Sequence, residues 1–250
     1  MELAGKTALI TGSGAIGGLG HATARALAAA GADLVITGTD PERGAQVVAD
    51  LRAFGAPPTG TTVRFLTADL TDPAAVRRLA EDAGAVDILI NNASVMTFGP
   101  TTDQDLTGYD AAFAVNVRAP YLLTALLAPK MAANGGGSVV NVSSTAASLG
   151  MPGMAVYGAT KAALESLTRT WAAEFASSNV RVNTVAPGPM RTSKVVAAMG
   201  PDMGGMGLTT ALRRTSDPTE VAHVVAFLAS DRASYMTGAI VAADGGRTAI

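Results

Sequence analysis

The sequence predicts a single α/β domain, doubly wound around a parallel sheet of about seven strands. Short apolar strands alternate with longer helical stretches from one end of the chain to the other. Strands that are apolar along their whole length are typical of a parallel sheet covered on both faces. No linker rich in Pro or Ser divides the chain, so we expect residues 1–250 to form one domain.

The first half of the chain contains four predicted strands joined by three helices. In order, these elements lie at 7–11, 21–30, 34–37, 41–54, 63–67, 72–83 and 86–90, with a loop at 55–60. Gly31 suits the end of the first helix, because glycine readily adopts the left-handed conformation that follows many C-caps. Asp40-Pro41 and Asp72-Pro73 mark helix starts, because Asp is a favoured N-cap and Pro a favoured first residue.

The second half continues the alternation with three helices and three strands. These elements lie at 105–130, 138–142, 157–175, 180–185, 219–229 and 239–242. We expect the first of these helices to bend or break at Pro120, because proline lacks an N–H and its ring clashes with the preceding turn. Residues 191–214 are rich in Met and Gly and show no clear periodicity. Such a segment is either a substrate lid or a variable surface excursion, and the sequence leaves both open.

Composition indicates a globular protein and excludes several functional classes. The chain is 48% hydrophobic and 15% charged, with a net charge of −2, no cysteine and two histidines. Disulfides and thiol chemistry are therefore excluded, a histidine metal cluster is not expected, and no excess of positive charge favours nucleic acid. Neither a signal-peptide core nor an uninterrupted apolar run of about 20 residues is present, so we expect a cytoplasmic protein with no membrane partner.

A glycine-rich stretch follows the first predicted strand, with the sequence T-G-S-G-A-I-G-G-L-G at 11–20. Glycines between a strand and a helix permit a tight turn and let backbone N–H groups approach a pyrophosphate. Two registers are possible. Gly12, Gly14 and Gly17 fit the pattern G-x-G-x-x-G, whereas Gly12, Gly18 and Gly20 fit a pattern stretched by two residues.

The end of the second strand bears on the choice between NAD and NADP. An acidic residue there would hold the adenosine ribose hydroxyls of NAD, but the strand is followed by Gly38 and Thr39. Glycine does not repel a 2′-phosphate, and Thr39 can donate a hydrogen bond to one. Asp40 could serve NAD instead, although its place before a proline suits an N-cap; Arg43 is the nearest cation. NADP is favoured, and NAD stays possible.

Tyr157 and Lys161 lie four residues apart at the start of a predicted helix, so their side chains share one face. A phenol titrates near pH ~10 in water. We expect the ammonium to favour the phenolate and lower that pKa, which would make Tyr157 an acid–base group usable near neutrality. Ser144 precedes Tyr157 and can hold the substrate oxygen that Tyr157 protonates.

These residues resemble the short-chain dehydrogenase/reductase family, and the resemblance extends over essentially the whole chain. Further matches are Asp69-Leu70, Asn91-Asn92-Ala93, Asn116, Pro187-Gly188 with Thr192, and the closing Asp-Gly-Gly at 244–246. Within the family, the chain looks most like the 3-oxoacyl-carrier-protein reductases. The resemblance implies a Rossmann-type fold, a nicotinamide cofactor, a small-molecule substrate and a homotetramer.

The resemblance also implies a role for each matching residue. Tyr157 is the acid–base group, Lys161 lowers its pKa and binds the nicotinamide ribose, and Ser144 orients the substrate oxygen. Ser143 competes for that last role, but the thirteen-residue spacing to Tyr157 favours Ser144. Asn116 would anchor a water that links Lys161 to solvent; alternatively, it makes only a local hydrogen bond within its helix.

The remaining implied contacts are with the cofactor and the substrate. The expected cofactor contacts are Gly12, Ser13, Gly18, Leu19, Thr39, Asp69, Leu70, Asn92, Ala93, Pro187, Gly188 and Thr192, besides Tyr157 and Lys161. Ser94 and Met190 would face the substrate with Ser144 and Tyr157, beneath a lid at 191–214. Two features depart from the family pattern: the glycine loop is two residues longer, and Ser94 replaces the usual glycine after Asn-Asn-Ala. That serine either narrows the pocket or donates a hydrogen bond.

The sequence therefore predicts an NAD(P)(H)-dependent oxidoreductase, a carbonyl reductase or alcohol dehydrogenase that interconverts a ketone and a secondary alcohol. The first alternative is a catalytically silent, cofactor-binding regulator on the same fold. Another is a dehydration or epimerisation that uses a tightly held cofactor.

Overall fold

In the described part of the chain, seven strands pair in parallel within one sheet. The computed structural model describes residues 1–53, 61–103 and 105–250. The strands are β1 (Thr7–Ile10), β2 (Asp33–Gly38), β3 (Val63–Thr67), β4 (Ile88–Asn91), β5 (Gly137–Val142), β6 (Val180–Pro187) and β7 (Ile240–Ala243), in the order β3-β2-β1-β4-β5-β6-β7. The predicted doubly wound fold is thus confirmed. The chain order reverses between β1 and β4, and ligands of such sheets bind in the crevice at that point.

Helices cover both faces of the sheet. They are α1 (Leu19–Ala29), α2 (Pro41–Ala53), α3 (Pro73–Asp82), α4 (Leu106–Phe113), α5 (Ala119–Ala133), α6 (Ala155–Phe175), α7 (Ser193–Met199) and α8 (Pro218–Ala229). One core packs α1, α2 and α8 against the sheet through residues such as Leu27 and Val225. The other packs α3, α5 and α6 through residues such as Leu123 and Trp171. This arrangement explains why the strands are apolar on both sides.

The aspartates predicted to start helices do cap them. Asp40 accepts hydrogen bonds from the N–H groups of Glu42 and Arg43, at 3.0 and 3.1 Å. Asp72 accepts bonds from Ala74 and Ala75 at 2.8 and 3.2 Å. These bonds satisfy N–H groups that have no partner within the helix. The predicted end of α2 at residue 54 and the loop at 55–60 lie outside the described residues.

The helical stretch at 105–130 is interrupted earlier than predicted. A π-helical turn, Ala114–Arg118, separates α4 from α5, and Pro120 lies in the first turn of α5. Pro120 has no N–H to give to the carbonyl of Asn116, four residues earlier, and its ring crowds that carbonyl. Widening the preceding turn relieves this conflict. The prediction identified the cause correctly but placed the break at the proline itself.

The same stretch, Leu106–Ala133, is long and apolar enough to cross a membrane by length and composition alone. In the structure, 56% of its most apolar window is buried inside the protein. Leu123, Leu127 and Met131 are at most 1% exposed and belong to the core under the sheet. These contacts are those of a core helix.

Residues 191–214 are more regular than their composition predicted. They contain α7 and a 3₁₀ segment, Met203–Thr209. The sequence analysis did not identify Thr192 as a helix cap. Its hydroxyl accepts the N–H of Val195 at 3.3 Å and caps α7. The Ser193 N–H donates to the Gly17 carbonyl at 3.1 Å, so the segment begins against the glycine loop.

Candidate active site

Tyr157 and Lys161 lie in the first two turns of α6, which begins at Ala155, two residues earlier than predicted. Their shared helix face brings the Lys161 Nζ to 5.5 Å from the centroid of the Tyr157 ring. The helix starts beyond the carboxyl end of β5, so both side chains stand at the ligand-binding edge of the sheet.

The Lys161 side chain is 1% exposed, which is exceptional for an ammonium group. Its Nζ donates a hydrogen bond of 2.8 Å to the carbonyl oxygen of Val142, the last residue of β5. Burial lowers the pKa of Lys161 to about 8. The amine therefore stays mainly protonated at neutral pH and holds a positive charge beside the phenol.

The Tyr157 phenol is more difficult to ionise than we expected from the sequence. Burial raises its pKa above the ordinary value of 10.0, while the neighbouring hydroxyls of Ser144 and Ser94 act in the opposite direction. The predicted lowering by Lys161 is not seen, because the ammonium is directed to the Val142 carbonyl while burial removes water from the phenol. In this environment Tyr157 is a protonated acid at neutral pH.

Ser144, rather than its neighbour Ser143, lies against Tyr157. Ser143 donates to the Glu165 carboxylate, Oγ to Oε1 2.7 Å, and is buried away from the phenol. The Ser144 Oγ accepts the N–H of Ala146 at 3.2 Å, where a short 3₁₀ turn begins. Because that bond uses a lone pair, the hydroxyl proton of Ser144 is left for an oxygen in the site.

Asn116 lies in the π turn, fully buried, and its amide joins two other elements. Its Oδ1 accepts the Val95 N–H and its Nδ2 donates to the Val95 carbonyl, both at 2.8 Å. The Nδ2 also donates to the Thr160 hydroxyl at 3.0 Å. Both amide protons are thus used, so the side chain has none for the predicted water. The backbone carbonyl of Asn116, which lacks its α-helical donor at Pro120, is the better candidate for that water.

The glycine loop packs against the end of β4. The Thr11 hydroxyl accepts the N–H groups of Asn92 and Ala93, both at 3.0 Å, and the Asn92 amide donates to the Thr11 carbonyl at 2.8 Å. Gly12 has a φ of +66°, and a Cβ there would lie 2.6 Å from the Ala93 Cα. A Cβ on Gly20 would lie 2.6 Å from both the Asn92 Nδ2 and the Gly12 carbonyl oxygen. Close approach thus requires glycine at both positions.

Gly18 is the N-cap of α1 and Leu19 its first residue, so their N–H groups lie at the positive end of the helix. Together with Gly12 and Gly20, this geometry matches the stretched register. The extra length forms an exposed bulge at Ala15 and Ile16. The bulge is closed by the Gly17 N–H, which donates to the Nδ1 of the buried His21 at 3.3 Å.

Ser13 does not present a donor to the mouth of the loop. Its N–H donates to the Thr37 carbonyl at 3.0 Å, and its hydroxyl donates to the Ile10 carbonyl at 2.7 Å. It also accepts the Thr37 N–H at 3.1 Å. Ser13 therefore joins the ends of β1 and β2, and the expected phosphate contact through this residue has no free group to make it.

The end of β2 presents Thr39 to solvent. Gly38 packs closely on Gly14, since a Cβ at position 38 would lie 3.2 Å from the Gly14 Cα. Asp40 is occupied as the cap of α2 and pairs with Arg43, Oδ2 to Nε 3.2 Å. The carboxylate that could have served a ribose thus has a structural function.

The other residues predicted to contact the cofactor or the substrate lie at the same edge of the sheet and differ in their solvent exposure. Asp69 is exposed and accepts the Thr71 N–H at 2.9 Å, and bonds from Thr71 hold the pKa of its carboxyl below the ordinary value. Leu70 is 8% exposed and packs in the core, which leaves its backbone for an adenine contact. Met190 is half-buried against the other core.

Pro187 ends β6, and the Gly188 N–H donates to the Ala243 carbonyl at 3.1 Å. A Cβ on Gly188 would lie 2.8 Å from the Asp244 Cα, so the closing Asp-Gly-Gly packs directly on this turn. The Thr192 hydroxyl accepts the Val195 N–H and keeps its own proton available to donate.

Sequence reasoning assigned no individual role to three contributors to the site. Thr11 holds the glycine loop to β4, Thr160 links Asn116 to α6, and His21 closes the loop bulge. Thr160 directly precedes Lys161 and carried no separate signal. For His21, the extra length of the glycine loop was the only sequence feature that could have indicated its role. Among the described residues, no three His, Cys, Asp or Glu side chains gather into a group that could hold a metal ion.

Comparisons with known proteins indicate the family of this chain. The sequence model of a family described as enoyl-(acyl carrier protein) reductase matches residues 14–248. The 2-keto-3-deoxy-L-fuconate dehydrogenase of Xanthomonas campestris is 36% identical, with 98% of this chain and 81% of that protein covered.

Two solved structures are similar over nearly the whole chain. A short-chain dehydrogenase/reductase family protein is 49% identical with a TM-score of 0.92, and both chains are covered completely. A blue fluorescent protein from a metagenomic library, in complex with NADPH, is 34% identical with a TM-score of 0.90, and 99% of each chain is covered. The chain belongs to the short-chain dehydrogenase/reductase family of oxidoreductases.

The two glycines of the stretched register should respond differently to an added methyl group. Gly20→Ala forces a Cβ against Asn92 and Gly12, and we expect its melting temperature to fall by at least about 4 °C. Gly18→Ala is the matched control, because a Cβ there meets only the Ala15 carbonyl, at 3.7 Å. We expect it to melt within about 2 °C of the wild type. Equal melting of the two variants in calorimetry would contradict the packing described here.

Proposed function

We propose that the protein is an NAD(P)(H)-dependent oxidoreductase that interconverts a ketone and a secondary alcohol, with Tyr157 as the acid–base group. The observation that carries this proposal is the Tyr157 phenol beside the buried Lys161 ammonium, whose Nζ lies 5.5 Å from the centroid of the phenol ring. A protein that only bound the cofactor would have no use for this arrangement of proton donors, whereas carbonyl reduction requires one.

The described residues fit a nicotinamide dinucleotide. The turn at Gly12 and the N-terminus of α1 at Gly18 and Leu19 form a cradle for the pyrophosphate, and a side chain at Gly12 or Gly20 would distort it. Asn92, Ala93, Pro187, Gly188 and Thr192 would line the nicotinamide half, with Asp69 and Leu70 at the adenine. When bound, the cofactor supplies or accepts hydride.

The chain's own residues handle the proton and the orientation of the substrate. In the reductive direction, the Tyr157 hydroxyl gives its proton to the carbonyl oxygen as that oxygen gains negative charge. Ser144 donates a hydrogen bond to the same oxygen and holds it in place. The Lys161 ammonium, held by the Val142 carbonyl, keeps a positive charge 5.5 Å from the centroid of the Tyr157 ring. Because burial raises the pKa of Tyr157, the phenol is protonated at neutral pH, which favours ketone reduction.

The substrate we propose is a small, partly apolar carbonyl compound. Met96 and Phe98 are 58% and 75% exposed in the loop that follows β4, two and four residues after Ser94. The proposed lid at 191–214 adds exposed Met199, Leu208 and Leu212. Apolar side chains left in water around a polar centre are typical of ligand sites.

Removal of the Tyr157 hydroxyl tests the acid–base role. We expect Tyr157→Phe to keep its melting temperature and its NADPH affinity but to lose about 10²–10⁴-fold in kcat, because proton transfer to the oxygen is lost. Tyr235→Phe is the control, since that side chain is fully exposed; it should retain wild-type kcat. Turnover of a ketone panel is followed through NADPH absorbance. Near-normal kcat in Tyr157→Phe would remove this residue from the mechanism.

Two other functions remain distinguishable from this one. A silent cofactor-binding regulator would bind NADPH yet turn over no member of a broad carbonyl and alcohol panel. A dehydratase or epimerase on this fold would turn over substrate with no net change in nicotinamide absorbance. The buried Lys161 ammonium beside the Tyr157 phenol favours the dehydrogenase over the silent regulator.

We propose NADP(H) as the preferred cofactor, with NAD(H) as the weaker one. Glycine at position 38, an exposed Thr39 and a capped, paired Asp40 leave no carboxylate free to repel a 2′-phosphate. A similar protein of 34% identity has been solved with NADPH.

The Thr39 position provides a direct test of this preference. Thr39→Asp places a negative charge where the 2′-phosphate would lie, so we expect NADPH affinity to fall about tenfold or more, with NADH affinity unchanged or improved. Ser177→Asp, an exposed site beyond the far end of α6, is the control for added charge. Affinities are measured by calorimetric titration of both cofactors. Tighter NADH binding by the wild type would contradict the proposal.

A cytoplasmic homotetramer is also our proposal, resting on the family resemblance. Leu106, Tyr109 and Tyr121 expose 75%, 40% and 51% of their surface on α4 and α5, which leaves apolar area for a second copy of the chain. A monomer in analytical ultracentrifugation would contradict this assembly.

A further inference from the structure

Gly17 joins the extended glycine loop to the segment at 191–214. Its carbonyl accepts the N–H of Ser193, the first residue of α7, at 3.1 Å. The two segments approach so closely that a Cβ on Gly17 would overlap the Ser193 Oγ, and the φ of Gly17 is +79°. Both the backbone conformation and the lack of space therefore favour glycine at this contact.

His21 holds the Gly17 peptide from its other side. The Gly17 N–H donates to the Nδ1 of His21 at 3.3 Å, and the Nε2 of the same ring lies 2.7 Å from the Asp50 carboxylate of α2. Because an amide N–H can only donate, Nδ1 carries no proton, and the ring proton on Nε2 donates to Asp50. The His21 side chain is 5% exposed, and the Asp50 carboxylate also pairs with Arg25, Oδ2 to Nε 3.7 Å. The ring is thus fixed in one orientation.

A continuous series of contacts therefore runs from α2 to α7. It passes from Asp50 through the His21 ring to the Gly17 N–H, and from the Gly17 carbonyl to the Ser193 N–H. Gly17 directly follows the exposed bulge at Ala15 and Ile16, where the loop is longer than the family pattern. The contact with α7 thus lies at the departure from that pattern.

The neighbours of this contact belong to the two halves of the proposed cofactor site. Gly18, next to Gly17, begins the cradle proposed for the pyrophosphate, and Thr192, next to Ser193, is proposed to hold the nicotinamide carboxamide. The bond between Gly17 and Ser193 consequently sets the separation of these two groups. A site whose halves are already joined binds a two-part ligand with a smaller loss of entropy.

We propose that His21 is a positioning residue for the nicotinamide end of the cofactor. By fixing the Gly17 peptide it holds Ser193, and so places Thr192 at a set distance from the pyrophosphate cradle. This inference rests on the proposed function, because it takes the cofactor to bind between Gly18 and Thr192. It assigns the extra length of the glycine loop to the attachment of the segment at 191–214.

The test breaks the series of contacts at either end. Ser193→Pro removes the N–H that reaches Gly17, while proline is well tolerated as the first residue of a helix, so α7 is retained. Ser193→Ala is the matched control, because it keeps that N–H. His21→Leu removes the acceptor for the Gly17 N–H, whereas the side-chain oxygen in His21→Asn can take the place of Nδ1. Each variant is titrated in a calorimeter with NADPH and with 2′-phospho-ADP-ribose, which lacks the nicotinamide.

We expect Ser193→Pro and His21→Leu to bind NADPH about fivefold more weakly, because one hydrogen bond that positions the nicotinamide end is lost. Their affinity for 2′-phospho-ADP-ribose should change by less than about twofold, since the cradle at Gly18 is kept. Ser193→Ala and His21→Asn should stay close to the wild type with both ligands. NADH and ADP-ribose form a second ligand pair, so the comparison does not depend on which cofactor is preferred.

Equal weakening of both ligands, or of neither, would overturn the positioning role, since a merely structural role does not distinguish them. Equal NADPH affinities of Ser193→Pro and Ser193→Ala would overturn it as well. Ser193 is exposed, so this pair decides the matter even where His21→Leu does not fold. The expected binding pattern in a protein whose turnover survives Tyr157→Phe would overturn the proposed function and leave the role of His21 standing.

Discussion

The site depends on one buried amide, that of Asn116. Its three hydrogen bonds, of 2.8, 2.8 and 3.0 Å, join the π turn to the loop after β4 and to the first two turns of α6. Those two segments carry Ser94 and Tyr157 and come from distant parts of the chain. Because Asn116 is fully buried, breaking any one bond would leave an unpaired polar group and cost about 1–3 kcal/mol. The amide therefore sets the geometry of the site with little freedom.

The site also carries groups that do not favour stability. The Lys161 ammonium is desolvated and has one described partner, the Val142 carbonyl, and its pKa of about 8 reflects that cost. Burial of the Tyr157 phenol acts similarly by opposing its ionisation. Charged and polar groups kept in such positions are typical of functional sites, because catalysis requires shifted proton affinities. Apolar packing in the two cores of the sheet offsets the cost of burying these groups.

A second buried polar network supports the crevice from beneath. The Asn91 amide at the end of β4 donates to the Asn141 Oδ1 of β5, and the Asn141 amide donates to the Thr168 hydroxyl of α6, both at 2.8 Å. Asn91, the first asparagine of Asn-Asn-Ala, therefore helps to hold β4, β5 and α6 together. Its neighbour Asn92 turns to the glycine loop instead. Successive side chains along a strand point in opposite directions, so Asn91 belongs to the core and Asn92 to the site.

Much of the fold was predictable, because local signals and the global pattern agree. Apolar strands, Asp-Pro helix starts and the alternation of elements identified the sheet and most of its helices. The helix is interrupted before Pro120 and not at it, because a proline affects the carbonyl four residues earlier in the chain. The start of α7 was missed because its cap, Thr192, lies among Met and Gly residues that carry no helical period.

Within the site, the spacing of Tyr157 and Lys161 predicted their proximity but not the direction of the phenol's pKa shift. That direction depends on burial and on where the ammonium points, which are tertiary properties. The hydrogen bonds of Ser13 were not predictable for a similar reason, since its partner Thr37 belongs to another strand. The bonds of Asn116 to Val95 and Thr160 likewise join segments that no local pattern connects.

The most direct test of the account is a crystal structure of the protein with NADP⁺ bound. We expect the nicotinamide ring beside the Tyr157 hydroxyl and the pyrophosphate at Gly18 and Leu19. A cofactor bound elsewhere, or a nicotinamide out of reach of Tyr157, would contradict the central claim that this phenol transfers the proton.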